Sequence, residues 1–440
     1  MSTTTSPAAT PLDPELPAPM SMGAVLRISM MRRLWYAQII SVFGDFLALF
    51  AVIGVLTFNL HASPQQVTGV SIAYMFPIAA LGIIAGVFVD RWPTKHTMVS
   101  SDAIRSALVL LLLFAHQMWH YYAVLAAISI VSSFFGPAQG IAIRSAVPAH
   151  GLRSANVLMS QVMFGMRIVG PAVAAFLVAT FGARVCYLAD AASFVGSACL
   201  VASVPFIRPA KASETTKPGA PRPASADVGE APSAHPLARI WSDMKQGINF
   251  IFHHAGLLFV VLAFASAMFV LGCFGPLIAV YVRDSLHASA NVFGIASALI
   301  GAGMLIGINA LNMFAKNVKN AVLVYSGLAG IALGLVFLAG LAHIWSTMVG
   351  DFIVGLAVAA IIIPAQTMIQ QETPPALMGR VGSTVMSLVF GAQIAGLVLS
   401  GILADHIGVR HVFAVCAILL SVLITAGRLW MEPKAEPATA

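Results

Sequence analysis

Long apolar stretches alternate with short polar connections along almost the whole chain. Twelve runs stand out, at about 34–58, 67–89, 98–115, 122–143, 155–181, 185–206, 257–282, 292–315, 321–341, 347–370, 381–404 and 411–430. A helix needs about 20 mostly apolar residues to cross a bilayer, so each run predicts one membrane-spanning helix. Two stretches break the alternation. Residues 207–235 are rich in Pro, Ala, Ser, Glu and Lys and keep no apolar period, which predicts a flexible linker. From Pro236 a helical stripe returns, with Leu237, Ile240, Trp241, Met244, Ile248, Ile251 and Phe252 on one face and Arg239, Asp243 and Lys245 off it. An amphipathic interfacial helix over 236–254 is predicted there.

The expected organisation follows: a disordered tail over 1–30, a first six-helix half over 31–206, the linker, the interfacial helix, a second half over 255–431, and a tail at 432–440. The Ser/Thr/Pro/Ala-rich start, with acids at Asp13 and Glu15, has no signal-peptide pattern.

Composition strengthens this reading. Of 440 residues 59% are hydrophobic and 9% charged, with mean hydropathy +0.91, whereas soluble domains carry roughly 25% charged residues. The net charge of +7 does not point to nucleic acid, because of where the charges lie. Most Lys and Arg fall on one side of the expected topology; Arg184, Arg283 and Arg410 fall on the other, and Arg105 and Arg167 within spans. That is the positive-inside pattern, and it predicts a multi-pass membrane protein with both termini cytoplasmic. Cys186, Cys199, Cys273 and Cys416 all lie in apolar runs without a CxxC pair and read as buried filler. Histidines such as His116, His120, His343, His406 and His411 cluster in connections, as does His253-His254. None has a metal-binding spacing, so no metal or cofactor is expected.

The halves repeat one another. Pro137-Ala138-Gln139 recurs as Pro364-Ala365-Gln366, and at the same offset Pro148, Ala149 and Arg153 meet Pro375, Ala376 and Arg380. One residue shorter, Phe164-Gly165, Gly170, Gly182 and Arg184 meet Phe390-Gly391, Gly396, Gly408 and Arg410. The expected fold is therefore an all-α membrane protein of two parallel six-helix repeats. Such repeats place a central site between halves that rock about it.

One connection concentrates charge: Gly86-Val-Phe-Val-Asp90-Arg91-Trp-Pro-Thr-Lys95, between the second and third spans. Gly86, Asp90, Arg91 and Lys95 match the loop signature of the major facilitator superfamily, with Pro93 and Thr94 where that signature has a Gly and a basic residue. The chain resembles that superfamily over about residues 30–430. The Gly44-Asp45 pair, the Phe134-Phe135-Gly136-Pro137-Ala138 end of span four and Arg380-Val381 are similar to the branch holding macrolide efflux proteins and enterobactin-type siderophore exporters. Gly165, Gly170 and Pro171 resemble the exporters' antiporter motif, with Ala174-Ala175 in place of its paired glycines. The resemblance implies a secondary active transporter working by alternating access, a proton-coupled exporter of drug-like or siderophore-like molecules; import of a small metabolite by the same fold is the alternative. It also implies that Asp90 sits against the N-terminus of span eleven, with Arg380 beside it, as a conformational latch. An anion gains about 0.3–1 kcal/mol at such a helix end.

Two charges fall deep in the expected spans. At 1.5 Å per residue, Asp45 lies roughly 16 Å into span one and Arg167 roughly 18 Å into span five, near the middle of a core about 30 Å thick. An unpaired charge there is costly, so the two are expected to pair, either as a proton-coupling switch or as a static ion pair. Asp102 and Arg105 are expected to pair near the cytoplasmic end of span three, Arg105 snorkelling outward. Asp190 and Asp351 read as acids near the periplasmic starts of their helices. Candidate substrate contacts are Gln38, Phe46, Phe135, Met268, Phe274 and Gln366, an apolar set with a few amides that suits a bulky amphipathic solute. No clustered catalytic residues suggest an enzyme, no repeated polar rings suggest a channel, and no GxxxxGK[ST] loop suggests ATP drive. The expected partners are a small-molecule substrate, protons and lipid, the protein itself being a monomer.

Overall fold

The computed structural model describes residues 20–204, 236–314, 318–374 and 377–431; within its helices the side chains of Arg167 and Pro171 lie outside the described set. The expected linker over 207–235, the tail at 432–440 and residues 1–19 also fall outside it.

Every described element is helical. The order is α1 (Met22–Arg27), α2 (Ser29–Gly54, continued by a wider turn Val55–Asn59), α3 (Pro64–Val89), α4 (Thr94–Leu110, tightening over Leu111–Phe114), α5 (Met118–Ala146), α6 (Leu152–Phe181) and α7 (Ala183–Ala202). Then follow α8 (Pro236–Phe252), α9 (Ala255–Asp284), α10 (Ala290–Phe314), α11 (Asn320–Gly340), α12 (Ile344–Glu372), α13 (Met378–Ile407) and α14 (Val409–Met431). Among the described residues, 10 helices are long and apolar enough to cross a membrane. The chain is a multi-pass membrane protein. Its outer faces show large apolar side chains, such as Phe76, Phe176, Ile418 and Leu429, as expected where hydrocarbon replaces water as the solvent. Trp119 and Trp345, near the starts of α5 and α12, are both exposed at one end of the bundle, where amphipathic rings settle at a membrane interface.

Local sequence explains the boundaries. Ser63 and Gln66 form a reciprocal capping box around Pro64 at the start of α3. Gly182 and Gly408, at φ 81° and 83°, turn α6 into α7 and α13 into α14 in a conformation costly for residues with a Cβ. Part of the expected tail is ordered: Ser21 caps α1 by accepting from the Ala24 N–H at 3.2 Å, Val25 is buried, and the Ser154 hydroxyl donates to the Met20 carbonyl at 2.6 Å. Three cysteines are buried as expected, but Cys199 is exposed on α7.

The helices fall into two groups with the same internal pairings. In the first, α2 packs on α6 and α7, α3 on α5, and α4 on α5 and α7. In the second, α9 packs on α13 and α14, α10 on α12, and α11 on α12 and α14. Glycines permit the closest approaches: a methyl at Gly355 would meet the Ile300 carbonyl, and one at Gly303 the Phe352 carbonyl. Between groups, α6 packs on α10 and α3 on α13.

The side-chain contacts between groups gather at the end away from the α3–α4 connection. Phe293 of α10 stacks on Phe50, ring centroids 5.6 Å apart, and lies 6.4 Å from Phe58. Gly401 of α13 sits against Thr68 and Gln65 of α3, and Ser63 lies 3.5 Å from Asp405. Arg283 at the close of α9 donates to the Thr57 and Ala62 carbonyls at 2.9 and 2.7 Å. This is the far end of the bundle, and the opposite one is the terminal end.

Candidate functional site

Charge inside the first helix group converges on one arginine. Arg105 lies near the middle of the helix Thr94–Phe114, and Asp45 near the middle of Ser29–Asn59. Arg105 Nη1 is 4.0 Å from Asp45 Oδ2, and its Nη2 contacts Asp102 Oδ1 directly. The Ser197 hydroxyl of α7 donates to the other Asp102 oxygen at 2.7 Å. The guanidinium also lies over two rings, 4.5 Å from the centroid of Phe135 on α5 and 4.3 Å from that of Phe194 on α7. Four helices thus hold a single cation, by ion pairing and by the negative faces of aromatic rings.

Asp190 completes the cluster. It is buried on α7, its Oδ1 accepting from the Ser193 hydroxyl at 3.3 Å. Gly44 faces this pair: a Cβ on Gly44 would strike both Ser193 and Asp190. The glycine before Asp45 therefore lets α2 and α7 approach where the carboxylates lie. Asp45 is the accessible acid here, its side chain 20% exposed, while Arg105 and Asp102 are at 4% and 0%.

The charged residues of the spans fare differently from one another. Asp45 finds Arg105 as its described ion-pair partner, and the expected Arg167 side chain lies outside the described residues. Asp102 and Arg105 do pair, but Arg105 does not snorkel: α4 begins at Thr94, four residues before the apolar run, so Arg105 sits mid-helix and 3% exposed. Asp190 and Asp351 are each eighth in their helices and fully enclosed, too deep to be acids of a first turn. Both Asp351 oxygens lack a hydrogen-bond donor among the described residues.

The expected cavity residues divide. The Gln139 amide of α5 donates to the Gln38 Oε1 of α2 at 2.5 Å, Phe46 is half-buried, and Gln366 is exposed. Phe135 is buried beneath Arg105, which makes it part of the charge cluster. Phe274 is no cavity residue: it is 2% exposed and packs on Phe413 of α14, ring centroids 5.5 Å apart. Met268 is buried likewise. Of the antiporter-like residues, Gly170 packs against the Phe46 ring, a Cβ at Gly165 would meet open space, and the Pro171 side chain is outside the described set.

The expected latch residues lie at the terminal end. Asp90 and Arg91 are exposed, and Asp90 enters no ion pair among the described residues. Lys95 donates to the Val204 carbonyl at 3.0 Å, and Arg380 to Gln246 of α8 at 2.8 Å. Gly86 has open space beside it.

Comparison with known proteins identifies the family. The family described as transmembrane secretion effector matches residues 20–438. The uncharacterized MFS-type transporter YfiS of Bacillus subtilis is 28% identical over 390 residues, 87% of this chain and 89% of the relative. Macrolide efflux protein A of Streptococcus pyogenes is 25% identical, covering 88% and 92%. The crystal structure of nucleoside transporter NupG shares the fold at TM-score 0.66, with 14% identity over 92% of this chain and 100% of that one. The match over nearly the whole chain, the relatives and the shared fold lead to one assignment: the chain belongs to the transmembrane secretion effector family of the major facilitator superfamily, a membrane transporter of small molecules and not an enzyme.

Proposed function

We propose that the protein is a proton-coupled exporter of drug-like or siderophore-like molecules in a bacterial inner membrane, monomeric, with both termini cytoplasmic. It works by alternating access between two parallel six-helix halves. Supporting the repeat are the identical internal pairings, and the matching turns at Gly182 and Gly408. On this reading α3 and α6 also cross the bilayer, making twelve spans; at 1.5 Å per residue the 26 residues of α3 reach roughly 39 Å, and they carry no charge. The far end is then the outer end, closed, and the terminal end faces the cytoplasm, open.

The observation that carries the coupling is the shared Arg105. Asp45 stands 4.0 Å from it and retains access, while Asp102 contacts it directly and has none. A proton arriving at Asp45 cancels its attraction for the guanidinium, which stays with Asp102. α2 is then free to shift against α4 and α7. Loss of the proton restores the attraction. Asp45 thus reports proton occupancy to α2, whose continuation Val55–Asn59 lies at the far end. On this reading the amide pair Gln38–Gln139 and the Phe46 ring face the space between the halves and suit an amphipathic substrate. The likeness to macrolide efflux protein A supports export of a bulky compound.

In the opposite, outward-open state Asp90 closes the terminal end by meeting the N-terminus of α13, with Gly86 admitting the close approach and Arg91, Lys95 and Arg380 around it. Arg380 leaves Gln246 in that step.

The test uses proteoliposomes loaded with a panel of macrolides, cationic dyes and siderophores, with and without an imposed pH gradient. Gradient-driven export by the wild type, lost in Asp45→Asn, is the expected outcome. Asp45→Asn export that still follows the gradient would overturn the coupling role. Asp90→Asn export at the wild-type rate, with unchanged occupancy of the two states, would overturn the latch.

A further inference from the structure

The far end holds a polar device that the charge cluster does not use. The wide last turn of α2 leaves main-chain acceptors open. The Leu60 N–H reaches back to the Val55 carbonyl at 3.0 Å, and the Ala62 N–H to Leu56 at 2.9 Å, both passing over Thr57. His61 between them takes φ 50°, a left-handed turn that ends the helix. Thr57 and Ala62 are buried, and a buried carbonyl needs a donor.

That donor comes from the other half. Arg283, last but one in α9, gives Nη1 to both carbonyls, at 2.9 Å to Thr57 and 2.7 Å to Ala62. The other edge of its guanidinium, Nε and Nη2, is taken by the two oxygens of Asp284 at 2.5 and 2.8 Å. Charge-assisted bonds of this kind are roughly twice as strong as neutral ones. Apolar contacts surround them, with Phe293 on Phe50 and Phe58, and Gly401 on Thr68. Apolar contact is non-directional, whereas the Arg283 bonds have direction and fix one register. The polar alternative across the same boundary, Ser63 to Asp405, is stretched to 3.5 Å.

We propose that Arg283, oriented by Asp284, is the clasp that keeps the far end closed, and that its parting from the Thr57 and Ala62 carbonyls admits the outward-open state. The proposal rests on the alternating-access reading but not on proton coupling or on any substrate. Arg410 provides an internal control. It donates to the Ala339 and Gly340 carbonyls at the close of α11, the same chemistry confined to one half.

Double electron–electron resonance in lipid nanodiscs tests this, on full-length chain with its native cysteines replaced. Spin labels at Leu60→Cys and Ser289→Cys, both exposed, report the far end; labels at His96→Cys and Ser383→Cys report the terminal end. Arg283→Gln is expected to raise the ratio of open to closed far-end distances about tenfold or more, from the loss of two charged hydrogen bonds. Asp284→Asn shifts it in the same direction by less, and Arg410→Gln leaves it unchanged. Far-end distances in folded Arg283→Gln equal to the parent's would overturn the clasp, as would an equal shift from Arg410→Gln. If the terminal-end pair answers to pH or substrate while the far-end pair ignores Arg283→Gln, the clasp alone fails. If neither pair moves under any condition or variant, alternating access fails with it.

Discussion

Replacing Arg105 by Met should cost the fold far more than replacing Asp45 by Asn, although both remove one charge from the same cluster. Arg105 is 3% exposed and contacts Asp102, whose other described partner is the Ser197 hydroxyl at 2.7 Å. Removing the guanidinium leaves Asp102 enclosed without a counter-ion, and breaking a buried pair in this way costs about 3–5 kcal/mol. Loss of the contacts to Phe135 and Phe194 adds about 1 kcal/mol each. Asp45→Asn removes a gross attraction of about 4 kcal/mol at 4.0 Å and an effective dielectric constant near 20. Arg105 keeps Asp102, however, and the substitution strands no bare charge, so the net loss should be small beside that of Arg105→Met. Unfolding in mixed dodecyl maltoside–SDS micelles, followed by tryptophan fluorescence, gives the stability; proteoliposome flux under a pH gradient gives the coupling. Stability should fall steeply in Arg105→Met, and part of it should return in Arg105→Met with Asp102→Asn, which leaves no bare charge. Asp45→Asn should unfold close to wild type yet lose gradient-driven flux. An Arg105→Met protein as stable as wild type, or no recovery in the double variant, would refute the account of what holds this cluster together.

Other consequences follow from single contacts. Gly355→Ala drives a methyl into the Ile300 carbonyl of α10, so it should lower stability by about 1–3 kcal/mol in the same micelle assay. Asp351→Asn should unfold no more easily than wild type, because neither carboxyl oxygen has a described hydrogen bond to lose; a large loss would mean a partner outside the described residues. Gln38→Ala breaks the 2.5 Å amide contact with Gln139 on half-buried surface. It should raise the KM for the exported compound several-fold in flux measurements while leaving the unfolding midpoint in place.

Depth was legible in the sequence, and angle was not. The apolar runs gave helix limits because hydrocarbon forbids unsatisfied backbone, and residue counting from the run placed Asp45 mid-helix, where it is found. Counting misled at Arg105. The polar Thr94-Lys95-His96-Thr97 turn is helical, so α4 starts earlier than its apolar run and carries Arg105 inward to meet Asp45. Which way a residue faces is harder still. A helix apolar all round, such as α9, has no stripe to show which side meets a cavity. Phe274 accordingly looks like a cavity residue in sequence and packs against Phe413 in the fold. One angular signal was present in Gly44: a small residue beside an acid deep in a span marks where another helix comes close, and the neighbour there is α7 with Asp190 and Ser193. In a bundle whose lipid-facing and core-facing residues share one composition, the informative positions are those that break it. Here those are the charge that must find a partner and the glycine that makes room for it.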